Sequence, residues 1–217
     1  MWVLLGTSLM LTSAMSIILS QHRQIERLES GPNIRVVARH RLLNSVGFPR
    51  QGSTASGPVY MREAAVVKVW NTSDASTGQV VPWVRYYLPD GRPRLDGVEI
   101  QRTWIDPDAV QGSAVQIVSQ VPPAEHETVS LASTGVAFEV LIAEGTQPPQ
   151  GNRASIPVGG GVSNVLALNQ TLWARLRIAG DGMPLANTWW FTFRMRVDDE
   201  ADTLEIEESP APQWATD

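Results

Sequence analysis

Two segments near the C-terminal end of the chain alternate strictly between two sets of side chains. In residues 189–197 (WWFTFRMRV) and 172–178 (LWARLRI), every second side chain is apolar, and the positions between them carry arginine, threonine or tryptophan. Successive side chains of a β-strand point to opposite faces of a sheet, so this period of two predicts half-buried antiparallel strands. A chain with such strands must build a sheet and cover its apolar face.

Further short segments have the composition of strands and are separated by turns rich in Pro, Gly and Asp. They lie at residues 34–42, 64–70, 80–88, 98–105, 115–121, 129–133, 136–143 and 162–168. About nine or ten short strands without a helical pattern predict a mainly β domain, an antiparallel β-sandwich of immunoglobulin-like architecture. The chain has no cysteine, so the Cys–Trp–Cys core of true immunoglobulin domains is missing. Residues 45–60 and 145–160 are predicted as long loops, where ligands often bind.

The N-terminal segment predicts a single transmembrane α-helix. Residues 2–20 are nineteen in number and carry no charge, and as a helix they would be about 28 Å long, close to the hydrocarbon thickness of a bilayer. A cleaved signal peptide is the alternative, but only Met1 precedes the apolar run, so the basic region of such a peptide is missing. Arginines follow the segment and none precedes it, which predicts an N-terminus outside and a cytoplasmic β domain.

One face of this predicted helix carries small side chains. Ser8, Thr12, Ser16 and Ser20 recur every four residues, which places them on one side of a helix, and Gly6 is expected close to the same side. Small residues let a second helix approach closely in a membrane. We therefore expect this face to pack against other transmembrane subunits, while the rest contacts the lipid bilayer. In the alternative interpretation, the hydroxyls bond to carbonyls of their own helix and face lipid.

Charge divides the chain into three predicted parts. These are a transmembrane helix with a juxtamembrane stalk (1–31), the β-sandwich (32–197) and an acidic C-terminal tail (198–217). The tail has eight acidic residues and no basic residue, whereas the rest of the chain has 17 basic and 14 acidic residues. A tail of this composition is predicted to be disordered alone and to bind a partner. The basic residues form no single stripe, so no nucleic-acid partner is expected.

The candidate partner-binding residues are of two kinds. Tryptophans on the polar face of the two alternating strands lie beside arginines, a combination typical of protein interfaces. The acidic tail adds three apolar side chains that could contact a partner. The set is Trp173, Trp190, Arg194, Arg196, Leu204, Ile206 and Trp214. Equally, a loop of the same domain could cover the two strand tryptophans.

No pattern in the sequence predicts catalysis, a metal site or a cofactor. The three histidines are scattered, and Glu125-His126-Glu127 cannot direct all three side chains to one ion from an extended chain. Gly159–Gly161 lacks the Lys-Ser/Thr that follows in a phosphate-binding loop. No catalytic, cofactor-binding or metal-binding residue is therefore predicted.

The sequence favours a non-catalytic, membrane-anchored accessory or scaffold subunit that stabilises a larger multi-subunit membrane complex. Bioenergetic complexes, respiratory or photosynthetic, are the class we consider first. Two alternatives stay open: a ligand-binding β-sandwich tethered to a membrane, and a membrane-tethered enzyme of unrecognised type. A pocket between the long loops would support the first, and a cluster of converging polar groups would support the second.

Overall fold

The structure is a computed structural model with a mainly β fold. It describes residues 31–46, 59–107, 125–133, 135–145, 154–159, 162–165, 167, 169–181, 183, 187–196 and 203–215. The predicted transmembrane segment, with Gly6, Ser8, Thr12 and Ser16, lies outside these residues. Within them, no helix is long and apolar enough to cross a membrane.

Thirteen strands and two short 3-10 helices make up the described part of the chain. In chain order the strands are β1 (Ile34–Val46), β2 (Val59–Asn71), β3 (Gln79–Tyr87), β4 (Ile100–Gln101), β5 (Trp104–Ile105), β6 (Glu125–His126), β7 (Val129–Ser130), β8 (Phe138–Gly145), β9 (Ala154–Gly159), β10 (Val162–Val165), β11 (Leu172–Gly180), β12 (Thr188–Arg196) and β13 (Thr203–Ser209). The 3-10 helices span Leu95–Gly97 and Gln213–Ala215.

The strands form two antiparallel sheets. The seven-stranded sheet has the order β1-β2-β8-β5-β6, and β9 pairs with the far end of β8 and with β10. The six-stranded sheet has the order β13-β12-β11-β3-β4, and β7 pairs with β3 beside β4. Every strand pair is antiparallel, as the alternating patterns predicted.

The two sheets share one hydrophobic core. The apolar side of β11 is buried at Leu172, Ala174, Leu176 and Ile178, so the predicted alternation is confirmed. The facing sheet contributes side chains such as Val67, Val140 and Ile142 to the same core. The largest side chains of the shared core are Trp104, Tyr86, Phe191 and Phe193. The result is a sandwich-like arrangement in which each sheet buries one face.

Side chains also connect the sheets by hydrogen bonds. Trp104 Nε1 on β5 donates to the carbonyl of Val80 on β3 at 2.9 Å. The hydroxyl of Tyr86 on β3 donates to the carbonyl of Ile142 on β8 at 2.6 Å and accepts a bond from Arg102 Nη2 at 2.5 Å. Because polar groups inside a core are costly unless paired, these contacts fix how the two sheets align.

The structure corrects three boundaries from the sequence analysis. Residues 98–105 were predicted as one strand, but they form β4 and β5 in different sheets, because the chain passes from one sheet to the other at Arg102. The predicted loop 145–160 contains strand β9. The predicted segment 115–121 lies outside the described residues.

The third correction concerns the acidic tail. Residues 203–209 form β13, which pairs with β12 along its whole length and lies against β1 and β2. Its first inward residue, Leu204, is fully buried, and its backbone N–H donates to Glu63 Oε2 at 2.6 Å. The six-stranded sheet therefore extends beyond residue 197 and includes residues 203–209.

Candidate functional site

Four aromatic side chains meet on the outer face of the six-stranded sheet. This aromatic cluster consists of Tyr87 on β3, Trp173 on β11, Trp190 on β12 and Trp214 in the last 3-10 helix. The Trp214 ring lies 5.0 Å from Tyr87, 5.4 Å from Trp190 and 6.0 Å from Trp173, measured between ring centroids. Trp173 and Trp190 also contact each other edge to face at 6.4 Å. The C-terminal segment thus covers part of this face.

A glycine makes room for the Trp214 ring. Gly91 lies in the turn after β3 and has a φ of +85°, a conformation that favours glycine. A Cβ atom at this position would lie 2.9 Å from Cγ and Cδ2 of Trp214. The turn after β3 and the segment after β13 are therefore fitted to each other.

Next to the aromatic cluster, three arginines surround one glutamate. This arginine cluster consists of Arg85 on β3, Arg175 and Arg177 on β11, and Glu99 just before β4. Arg177 donates to Glu99 through Nε at 3.2 Å and Nη2 at 2.6 Å, and Arg175 Nη2 donates at 3.4 Å. The Arg177 hydrogen bonds, with the charges of all three arginines, hold the pKa of the Glu99 carboxyl below its usual value.

The arginine cluster has more positive charge than its glutamate neutralises. Arg85 and Arg175 are directly opposite each other in the register of β3 and β11, and like charges at such positions destabilise a sheet. The Nε atoms of both are buried and make no hydrogen bond within the described part of the chain. Arg175 also lies over the Trp190 ring, with 6.0 Å from its Cζ to the ring centroid. Cations and aromatic rings therefore form one continuous surface.

The two remaining predicted arginines lie on the same face of β12 as Trp190 but pair with a second glutamate. Arg194 and Arg196 both contact Glu205 on β13, through Nε at 2.6 Å and Nη1 at 3.3 Å. The Arg194 hydrogen bond lowers the pKa of the Glu205 carboxyl. Their charge is thus partly neutralised within the domain.

Leu204 and Ile206 lie on the core side of β13, where Leu204 is fully buried and Ile206 stays partly exposed. They alternate with acidic residues along β13, so their side chains face inward opposite Met195 and Phe193. Leu204 is fully buried and Ile206 packs against the core. The prediction of Leu204 as a contact for a partner is therefore wrong, because the sheet uses it internally.

Trp173, Trp190 and Trp214 were predicted from the sequence as partner contacts, and these three side chains come together. Tyr87, Arg85 and Glu99 were not predicted, although Trp83, Arg85 and Tyr87 alternate with buried residues along β3. That alternation was a signal for a polar and aromatic outer face. The pairing of Arg85 with Arg175 depends on the strand register, which residues so far apart in the chain do not reveal.

The histidines do not form a metal site among the residues that the structure describes, where no group of three potential ligands occurs. His40 Nε2 lies 3.7 Å from Glu63 Oε2, and the His126 ring contacts Phe138 edge to face at 6.4 Å. Comparisons of the whole chain with protein-family models, curated proteins and solved structures found no match.

Proposed function

We propose that this chain is a non-catalytic, membrane-anchored accessory or scaffold subunit that stabilises a larger multi-subunit membrane complex. In this proposal the β domain binds a neighbouring subunit through the outer face of its six-stranded sheet. The observation that supports it is the arginine cluster, in which Arg85, Arg175 and Arg177 share the single carboxylate of Glu99.

The excess positive charge of this cluster does not serve the stability of the isolated domain. Opposed arginines on neighbouring strands repel each other, and arginines with half-buried side chains are already partly desolvated. An acidic segment of a partner would supply the missing carboxylates and form charge-assisted hydrogen bonds. The adjoining tryptophans and tyrosine are the residue types that contribute most to binding at interfaces.

Attachment to the membrane is the second part of the proposal. The uncharged segment 2–20 would span the bilayer, and Gly6, Ser8, Thr12 and Ser16 would pack against transmembrane helices of other subunits. The arginines after this segment favour a cytoplasmic β domain. We extend the proposal to an immunoglobulin-like sandwich and to a respiratory or photosynthetic host complex, and no cofactor is assigned to this chain.

The proposal can be tested on the complex in its own membranes. The variant Arg85→Gln/Arg175→Gln removes two charges from the arginine cluster, and Arg194→Gln/Arg196→Gln removes two charges that Glu205 already partly neutralises. After gentle solubilisation, native electrophoresis with detection of this chain measures how much of it stays in a high-molecular-mass complex.

We expect the first variant to leave the complex in moderate salt and the second to stay in it. Both variants must retain the thermal stability of the wild type, so that loss of binding is separated from unfolding. A wild-type chain that migrates alone from gently solubilised membranes contradicts the scaffold function. Equal retention of both variants contradicts the assignment of the interface to this face.

A further inference from the structure

A second basic site lies on the opposite side of the domain, on the outer face of the seven-stranded sheet. This basic pocket has a volume of about 310 Å³, at the small end of the range of about 300–1,000 Å³ that is usual for ligand sites. Arg39, Arg41, Lys68 and Glu139 supply its charged side chains, and Pro107, Val136 and Ala137 form an apolar wall.

The register of three strands brings these charged side chains together. Arg39 and Arg41 are two positions apart on β1 and therefore point to the same face. Lys68 on β2 is directly opposite Glu139 on β8. On β2, the residues directly opposite Arg41 and Arg39 are Ala64 and Val66, both fully buried. These small side chains let Arg41 extend across β2 to form an ion pair with Glu139.

The pocket has two more positive charges than negative charges. Glu139 is buried, with a side chain only 4% exposed, and it is already paired with Arg41. In the described part of the chain, no carboxylate forms an ion pair with Arg39 or Lys68. A ligand with one negative charge would neutralise half of this excess. A phosphate monoester carries a charge of about −1.5 to −2 at neutral pH and would therefore neutralise most of it.

We propose that the basic pocket binds a phosphate group, with Arg39, Arg41 and Lys68 as its ligands. Arginine presents several N–H donors in a rigid fork that fits phosphate oxygens, and lysine adds a compact charge. The buried Glu139, which also lines the pocket, holds Arg41 in place through their ion pair. Val136, 46% exposed, and Pro107 provide an apolar surface for the organic part of the molecule. The phosphate belongs either to a soluble phosphomonoester or to a lipid headgroup.

The test uses the full chain in nonionic detergent and calorimetric titration with inorganic phosphate at constant ionic strength. We expect saturable binding, and acetate should bind at least about tenfold more weakly. Arg39→Gln and Lys68→Gln should each weaken phosphate binding by about tenfold, because each removes a charge-assisted hydrogen bond. Thermal unfolding of each variant checks that it is folded.

Arg35→Gln is the matched control. Arg35 is an exposed arginine on the same face of β1, opposite Trp70, and it does not line the pocket. The control should change the affinity by less than about twofold. A loss as large as that of Arg39→Gln would mean diffuse attraction by the whole face and would overturn the proposal. Equal affinity for acetate and phosphate would overturn it as well.

The two sources of the phosphate are separated by titrating the chain in phosphatidylcholine nanodiscs with and without phosphatidic acid. If the headgroup occupies the pocket, phosphatidic acid weakens the apparent affinity for inorganic phosphate, and Lys68→Gln removes that competition. If the ligand is soluble, glycerol 3-phosphate binds with similar affinity in both types of disc. Absence of saturable binding in every arm refutes the phosphate site.

Discussion

The packing of Trp214 gives the sharpest test of how the C-terminal segment is held. Trp214 is half-buried and contacts three aromatic rings of its own domain. Burying about half of a tryptophan surface of about 200 Å² at about 25 cal/mol per Å² contributes about 2.5 kcal/mol. Ring contacts add to this value and the lost freedom of the side chain subtracts from it. We therefore expect Trp214→Ala to lower the free energy of unfolding by about 2 kcal/mol.

Thermal and urea unfolding of the purified full chain measure this effect. A loss of about 2 kcal/mol corresponds to a decrease in Tm of about 4–8 °C in a domain of this size. Trp70→Ala is the matched control, because Trp70 is also half-buried but makes no ring contact among the described aromatic residues. It should cost less, by about the 0.5–1.5 kcal/mol that aromatic ring contacts add to burial. An unchanged Tm for Trp214→Ala in the purified chain would refute packing on its own domain and restore the interpretation that the segment needs a partner.

Gly91 provides a second measurement of the same contact. Gly91→Ala should destabilise the wild type for two reasons, its positive φ and the 2.9 Å approach of a Cβ atom to the indole ring. In the Trp214→Ala background only the first reason remains, so the substitution should cost less there. A coupling free energy of at least about 0.5 kcal/mol in this double-mutant cycle is expected for groups in direct contact. Additive effects would show that the ring does not lie over the turn.

Three further predictions concern charged and polar groups. Arg85→Gln should leave the free energy of unfolding unchanged or raise it by up to about 0.5 kcal/mol, because it removes a repulsion. Arg177→Gln should lower the free energy of unfolding by about 1 kcal/mol, because this variant loses hydrogen bonds to Glu99. Urea titrations of both variants measure these changes. The pKa of Glu99 is lower in the folded than in the unfolded chain. Its contribution to stability is therefore present above the unfolded pKa of about 4.3 and is lost as the pH falls through the lower folded pKa. The difference in free energy of unfolding between wild type and Glu99→Gln should accordingly shrink from pH 6 to about pH 3. Tyr86→Phe should cost about 1–3 kcal/mol, since the buried carbonyl of Ile142 and Arg102 Nη2 both lose a hydrogen bond. A loss below about 0.5 kcal/mol in urea unfolding would contradict these bonds.

The strands that the sequence predicted well are those with one buried face. Residues 172–180 and 188–196 lie in the middle of a sheet, where apolar side chains must point to the core and polar ones away from it. Strand β13 was missed because its sequence TLEIEES contains three glutamates, and the charge of the whole segment outweighed its pattern. The alternation of Leu204 and Ile206 with glutamates was nevertheless present, and it would have placed this strand at the border of the sandwich.

The candidate sites could be predicted only in part, because they depend on register between distant strands. Tryptophans beside arginines on one strand face were visible in the sequence, and Trp173 and Trp190 followed from them. The opposition of Arg85 to Arg175 joins residues about ninety positions apart, and the ion pair between Arg41 and Glu139 crosses an intervening strand. No local pattern determines such pairs, since a shift of one residue would send every side chain to the other face.

The two outer faces of the domain are organised in the same way. On each face, a glutamate that is mostly shielded from solvent, Glu99 or Glu139, is paired with an arginine, and further cations lie beside that pair. For folding alone, a neutral residue in place of Arg85 or Lys68 would serve as well, because an unbalanced cation adds repulsion to its neighbours. Binding of an anionic group offsets that repulsion only in the bound state. The excess cations therefore favour two separate binding faces, one for an acidic protein segment beside the aromatic cluster and one for a phosphate group.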